Sequence, residues 1–295
     1  MDPSNKFIQG DTPVTIIMIT LNEAHQLNSV FENLSGWANE VLILDSYSKD
    51  ETINICLENN IYVAQRKFTN FGDQWNAAIN QLPISNPWTL KLDPDERLSE
   101  ELKKEISDFI KNNPKESGAI LNRRLWFMGK PMPVSQSLTR LWRTGSCKFS
   151  NVAVNEHAVV NGSLKELKSC LEHYDSPNLE HWLNKQNQFS TSEAQMHLNN
   201  EKLSANPNFF GNPFERRMWL KKYFRKIPFR YFLFFIYNFL ILGSFKSGKP
   251  GYIWAWSRVL VMKMIEYKMI DFGNNQIISY KHGPGIKDSR VDQYE

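Results

Sequence analysis

The sequence predicts an α/β protein, a doubly wound unit over residues 13–175 followed by a helical, membrane-associating extension. Short apolar runs rich in β-branched residues alternate with helical stripes from Pro13 onward, the pattern of a parallel sheet covered on both faces. Polar, mostly acidic residues stand at the carboxyl ends of those runs, where open α/β sheets bind ligands. Behind this unit, a cluster of Lys and Arg leads into an uncharged aromatic stretch.

Residues 14–20 (VTIIMIT) read as a buried strand, and Asn22 opens a helix with Ala24, Leu27, Val30, Phe31 and Leu34 on one stripe. Residues 40–45 (EVLILD) form a second strand. Ser48 and Glu51 have the S-x-x-E spacing of a capping box, ahead of a helix with Ile53, Cys56 and Leu57 inward. A third short strand follows at 62–65, a third helix at 73–82 and a fourth strand at 88–92 (WTLKL). Ser99, Glu100 and Glu101 cap the next helix. Residues 177–199 read as an amphipathic helix packing on the sheet, and the polar tail from Gly273 is expected to be poorly ordered.

The 295 residues are 41% hydrophobic and 22% charged, too apolar for a disordered chain. Cys56, Cys147 and Cys170 have no C-x-x-C spacing, so neither a disulfide framework nor a cysteine zinc site is expected. No apolar signal segment opens the sequence, and a cytoplasmic setting follows as the expectation. The net charge of +4 is uneven. Residues 1–214 carry 20 basic and 25 acidic side chains, 215–230 carry 7 and 1, and 231–295 carry 8 and 5. The basic collar holds Arg216, Arg217, Lys221, Lys222, Arg225, Lys226 and Arg230, interleaved with Trp219, Tyr223 and Phe224. Such a collar suits a polyanion, either nucleic acid or an anionic membrane.

The 15 uncharged residues 231–245 favour the membrane, because nucleic acid has no use for a Phe and Leu block. A bilayer span needs about 20 apolar residues. The stretch therefore suits an interfacial helix or a re-entrant hairpin with 252–270 as its second arm, and burial in the protein's own core is the alternative. The expected membrane-facing segment runs from Arg216 to Phe245, within a region at 215–270 that follows a helical segment at 176–214 and precedes a polar tail at 271–295.

No G-x-G-x-x-G follows the first strand and no Walker loop occurs, so a bound phosphate would need a cation. Asp93 and Asp95, spaced i, i+2 around Pro94 at the fourth strand end, put two carboxylates on one side of an extended backbone. With diphosphate oxygens and water they make a site for a hard divalent cation.

The segments ITLNEAHQL, VLILDSYSKDET, FGDQWNAAI and LKLDPDERLSEEL resemble, in order, the signatures of family 2 glycosyltransferases. The downstream RRLWFMGKP, TRLWR and VNEH are similar to the branch that adds a sugar to lipopolysaccharide core or other lipid-linked glycans. That branch usually reads DSGSTDGT where Tyr47, Lys49 and Glu51 here occupy the Gly, Thr and Gly places, and VHE where VNEH stands. The resemblance spans about 15–173 and implies a glycosyltransferase A-type, Rossmann-like mixed sheet. It also implies an inverting, metal-dependent transfer from a nucleotide sugar, expected to be a UDP-sugar.

Carried over by position, Thr20, Asn22, Glu23 and Asp45 would hold the nucleotide sugar, with Gln74 and Asn76 lining the same cleft. Asp93 would face ribose and metal, Asp95 would bind Mn2+ or Mg2+, His173 would be a third ligand or a packed histidine, and Glu96 would stand behind them. Glu156 is the candidate general base, or else a surface carboxylate paired with an arginine. Arg140 and Arg143 either clamp phosphate or are ordinary strand-edge charges. Trp126, Phe127, Met128, Trp142 and Trp182 either line an acceptor groove or pack in the core. The rival reading is a non-catalytic, membrane-associated carbohydrate or nucleotide binder in a polysaccharide assembly.

Overall fold

The computed structural model describes residues 6–150, 157–199, 207–211 and 213–274. Of these, the residues up to Trp126 with Ser135–Asp175 form one compact unit, and Phe127–Val134 with the residues from Ser176 onward form a second.

In the first unit β1 (Thr12–Thr20), α1 (Ala24–Leu34), β2 (Ala38–Asp45), α2 (Thr52–Glu58), β3 (Tyr62–Gln65), α3 (Phe71–Gln81) and β4 (Trp88–Lys91) alternate as the periodicity predicts. β5 (Glu96–Leu98), α4 (Glu100–Lys111), β6 (Gly118–Phe127), β7 (Lys130–Arg143), β8 (Cys147–Phe149), β9 (Ala158–Val160) and β10 (Leu164–His173) follow, with β6 and β7 running on into the second unit. Among the described residues eight strands form one sheet in the order β3-β2-β1-β4-β7-β6-β10-β5. β1, β2, β3 and β4 are parallel, but β7 pairs antiparallel with β4 and β5 antiparallel with β10. The sheet is thus parallel across β1 to β4, as the apolar runs predict, and mixed as a whole, as the resemblance implies.

The β1 run is continuous because both faces are covered. Val14, Ile16 and Met18 pack with Leu27, Val30, Phe31 and Leu34 of α1 and with Leu102 and Ile106 of α4, while Ile17 packs with Trp75 and Ala78 of α3. Each such side chain, fully withdrawn from water, contributes about 1.5–3 kcal/mol. Ser99 caps α4 as expected, its hydroxyl accepting from the Leu102 amide at 3.2 Å.

The capping box at Ser48 and Glu51 does not form. Glu51 precedes α2 with no side-chain cap, because the Ser48 hydroxyl is taken by Asp45 and by the Asn22 amide. Asp50 substitutes, accepting from the Thr52 amide at 3.0 Å and from the Ala24 amide, at the head of α1, at 3.1 Å.

In the second unit α5 (Leu179–Leu198) is capped by Asn178, whose side chain accepts from the His181 amide, and it packs on α8 (Lys249–Asn274). Between them lie α6 (Pro213–Tyr223) and α7 (Arg230–Ile236). The apolar stretch expected as one helix is broken. α7 passes into a π-helical turn at Tyr237–Ile241, Gly243 takes a left-handed φ of 76°, and a 3-10 turn at Ser244–Ser247 leads into α8. α7 and α8 meet as a hairpin, with Arg230 and the Tyr231 hydroxyl both bonded to Glu266 at 2.7 Å, and Phe235 lies 4.6 Å from Trp256 between ring centroids. Among the described residues no helix is long and apolar enough to cross a membrane. Arg230 of the collar is spent on Glu266; of the tail expected to be poorly ordered from Gly273, the first two residues close α8 and the rest lies outside the described residues.

Candidate active site

The carboxyl ends of β1 and β2 are tied into one polar platform. Asp45, the last residue of β2, is fully buried. One carboxylate oxygen accepts from the Thr20 and Ser48 hydroxyls at 2.9 and 2.5 Å, the other from the Ser48 amide and the Gln65 side chain at 2.8 and 3.1 Å. Asn22, with a left-handed φ of 55°, accepts from the Lys49 amide at 2.8 Å, and the Glu23 amide donates to the Thr52 hydroxyl. Apart from the local Ser48 contacts, these bonds join residues 20 to 29 apart in the chain. Thr20, Asn22, Glu23 and Asp45 thus lie together at the carboxyl ends of β1 and β2, with Asp45 as the hub of the platform. Asp45→Ala is expected to leave buried donors unmatched and to cost about 2–4 kcal/mol, read as a lower urea midpoint.

α3 supplies Gln74 and Asn76 in different directions. Buried Gln74 accepts from Arg66 at 2.8 Å and donates to the Ser46 hydroxyl at 3.2 Å, which joins it to the platform. Asn76 instead gives both ends of its amide to the Phe149 backbone, at 3.0 and 2.9 Å. It is a clip for β8 rather than a lining residue of the cleft.

After β4 the chain turns at once, and the Asp93 and Glu96 amides bond to each other's residues at 2.9 Å. The i, i+2 rule for extended backbone lapses there, and the two aspartates part. Asp93 goes to Arg140 at 2.8 Å, with the Lys91 ammonium 3.8 Å away. Arg140, only 2% exposed, also holds the fully buried Glu96 at 2.6 Å, and Arg123 reaches Glu96 at 3.3 Å. Burial alone raises the Asp93 carboxyl, but Arg140 and then Lys91 outweigh it and hold it well below the usual range. For Glu96 burial wins over Arg140, aided by the neighbouring Asp93 charge, and pushes it up. Arg140 is thus the counter-ion of two carboxylates rather than a free phosphate clamp. Arg143 is a second correction. It pairs with Trp88 at the opening of β4, the opposite end from Asp93, where its guanidinium lies 4.7 Å from the Trp88 ring and donates to the Pro114 carbonyl.

Asp95 turns the other way. His173, the last residue of β10, stands opposite Glu96 in the β5–β10 ladder, and the Tyr174 amide donates to the Asp95 carbonyl at 2.8 Å. The His173 Nε2 comes to 3.2 Å from Asp95 and 3.9 Å from Asp175. One ligand atom from each of Asp95, His173 and Asp175 lies within 4.8 Å of the other two. Ligands about 2.1 Å from an octahedral ion sit roughly 3 Å apart, so two carboxylates and an imidazole at this spacing fit a divalent cation. Asp175 escaped the sequence reading, although it repeats the i, i+2 spacing from His173 that singled out Asp93 and Asp95. Lys91 and Arg123 also escaped it.

Of the residues read as lining a groove or packing in the core, Trp126 and Trp142 belong to the first unit and Phe127, Met128 and Trp182 to the second. Trp142 is buried against Phe149, and Phe127 packs edge-to-face on buried Trp182 within the second unit. Trp126 instead lies 5.1 Å from Tyr174 between ring centroids, near the His173 strand end, and Met128 is exposed. Glu156 falls in 151–156, outside the described residues.

Residues 15–140 match the family model Glycosyl transferase family 2. An uncharacterised glycosyltransferase of Rickettsia felis is 25% identical over 276 residues, covering 88% of this chain and 92% of that one. The lipopolysaccharide core biosynthesis glycosyltransferase LpsC of Rhizobium meliloti is 26% identical over 225 residues, covering 72% and 81%. Among solved structures, Staphylococcus aureus TarS in complex with UDP-GlcNAc aligns over 88% of each chain at 16% identity, with a TM-score of 0.42. The matched segment carries most of β1, all of β2, β3 and β4, and both aspartates, so the likeness to family 2 glycosyltransferases lies in residues 15–140.

Proposed function

We propose that the chain is an inverting glycosyltransferase that moves a sugar from a UDP-sugar to a hydroxyl of a lipid-linked or lipopolysaccharide-type glycan. The observation that carries this reading is the convergence of Asp95, His173 and Asp175, with Asp95 inside the segment that matches the family 2 glycosyltransferase model. The platform of Thr20, Asn22, Glu23 and Asp45, with Gln74 behind it, is the place for the nucleoside. Asp93 and Arg140 hold the turn that presents Asp95. Asp95 and His173 would hold a divalent cation, which would supply positive charge against the departing nucleoside diphosphate.

Glu156 takes the proton from the acceptor hydroxyl as its oxygen attacks the anomeric carbon and the bond to the diphosphate breaks. A single displacement inverts that carbon. The kinship with LpsC supports a lipid-linked acceptor. An anionic membrane surface at the cytoplasmic leaflet is supported by Phe229, Phe232 and Ile241, which are 84, 62 and 72% exposed beside Arg225 and Lys226.

UDP-, GDP-, dTDP- and CMP-sugars with Mn2+ provide the test. At 100-fold excess over its Kd the donor adds about 2.7 kcal/mol, and UDP-sugars alone are expected to raise Tm, by roughly 5–10 °C. Slow donor hydrolysis with inversion at the anomeric carbon should accompany it. A retained anomeric configuration would overturn the displacement, and no shift or turnover with any donor would overturn the reading.

A further inference from the structure

We propose that Tyr47 is a nucleotide-binding residue of this chain, its ring covering one face of the donor's base. This deepens the reading above, which puts the nucleoside on the Asp45 platform, and rests on it. Tyr47 has a left-handed φ of 62° and is 48% exposed. A bulky side chain rarely occupies that backbone region, because its Cβ crowds the following carbonyl oxygen. Asn22, on the same platform, is also left-handed at 55°, but asparagine tolerates that conformation. Residues strained as Tyr47 is gather at ligand sites and persist where their surroundings over-determine them.

Both chain neighbours hold Tyr47 in that conformation. On one side the Ser46 amide donates to the Thr20 carbonyl at 2.8 Å, and the Ser46 hydroxyl accepts from Gln74 at 3.2 Å. On the other the Ser48 amide and hydroxyl each donate to an oxygen of Asp45, and the same hydroxyl accepts from the Asn22 amide at 2.8 Å. Tyr47 thus links two residues pinned to the platform, and its φ cannot relax without undoing those bonds. Ser46 is 3% exposed, whereas Tyr47 presents about half of its surface to solvent beside it. A nucleobase is flat and largely apolar on its faces, and an aromatic ring held at the margin of a polar platform matches that shape.

The test is calorimetric binding of UDP, UMP and inorganic diphosphate, each with Mn2+, to the full chain and its Tyr47→Phe, Tyr47→Asn and Tyr47→Gly variants. The phenylalanine variant keeps the ring and is expected to bind UDP and UMP within about 2-fold of wild type. The asparagine and glycine variants should bind both about 10-fold more weakly, in the lower part of the range for one base stacked on one aromatic ring. Inorganic diphosphate has no base, and its affinity should change by less than about 2-fold in every variant. The urea midpoint of Tyr47→Asn should stay at or above the wild-type value, because asparagine accepts the left-handed φ. A ring that serves only the fold cannot give weaker nucleotide binding without a loss of stability. Unchanged UDP and UMP affinity in folded Tyr47→Gly, or an equal loss for diphosphate, overturns the assignment.

The outcomes also separate this assignment from the transferase reading. A wild type that transfers sugar from a UDP-sugar, with Tyr47→Gly binding UDP equally well, overturns the role of Tyr47 and leaves transfer standing. UDP affinity that depends on the ring, with no donor ever turned over, does the reverse. A wild type that binds no nucleotide overturns both.

Discussion

Arg140→Ala is expected to destabilise the first unit by about 3–5 kcal/mol, the cost of removing one partner from a buried ion pair and leaving its charge unmatched. Glu96 has no exposed surface and Asp93 is only partly exposed, so neither carboxylate recovers full hydration when the guanidinium is gone. Arg123, at 3.3 Å from Glu96, offsets a fraction of the loss.

The pH dependence follows from the directions of the shifts. In the wild type Asp93 is held down by Arg140 and Glu96 is pushed up by burial, so their contributions to the stability curve oppose each other. Without Arg140, Glu96 is expected to rise further above its unfolded value of about 4, and Asp93 loses the largest of the charges that hold it down. At Glu96 the folded variant then binds more protons than the unfolded chain. Its stability is greatest below that value and falls as pH rises through the raised folded value of Glu96. Urea midpoints should accordingly show the smallest gap between variant and wild type near pH 5 and the widest at pH 8. Arg140→Ala combined with Glu96→Gln should recover part of the loss, because the orphaned charge is then absent. A gap that is flat across pH would mean that Arg140 acts by packing alone.

What the sequence discloses here is local, and what it conceals is set by strand neighbours. The β3 bounds agree with the expectation, and the Ser99 cap is in place, because period and capping chemistry act within a few residues. The Ser48 capping box fails for a non-local reason, since Asp45 and the Asn22 amide, 26 residues back, claim that hydroxyl. Arg140 and Asp93 are 47 residues apart and meet only because β7 lies antiparallel beside β4, with Leu90 opposite Leu141. Neither apolar periodicity nor charge count reports that adjacency. It sends Arg140 to the carboxylates at the carboxyl end of β4 and Arg143 to Trp88 at the other end. Spacing alone equally overstates the Asp93 and Asp95 pair, because it assumes an extended backbone where the chain turns.

Asp95→Asn should give the largest loss of transfer, about a thousand-fold in kcat/KM, with little loss of stability. The Asp95 carboxylate is 25% exposed and acts on Arg140 and Arg97 through its charge, so its removal is expected to cost the fold about 1 kcal/mol. Asp95 lies 3.2 Å from His173 Nε2, and in the proposed reaction its charge acts on the departing diphosphate. Withdrawing several kcal/mol of stabilisation from the developing negative charge slows the step tenfold for each 1.36 kcal/mol, and about 4 kcal/mol gives the thousand-fold figure. Arg140→Ala and Asp95→Asn therefore form a crossed pair, one losing mainly stability and the other mainly rate. A folded Asp95→Asn protein that transfers sugar at the wild-type rate would remove Asp95 from the chemistry. Steady-state transfer at saturating Mn2+, with unfolding curves on the same samples, distinguishes the two.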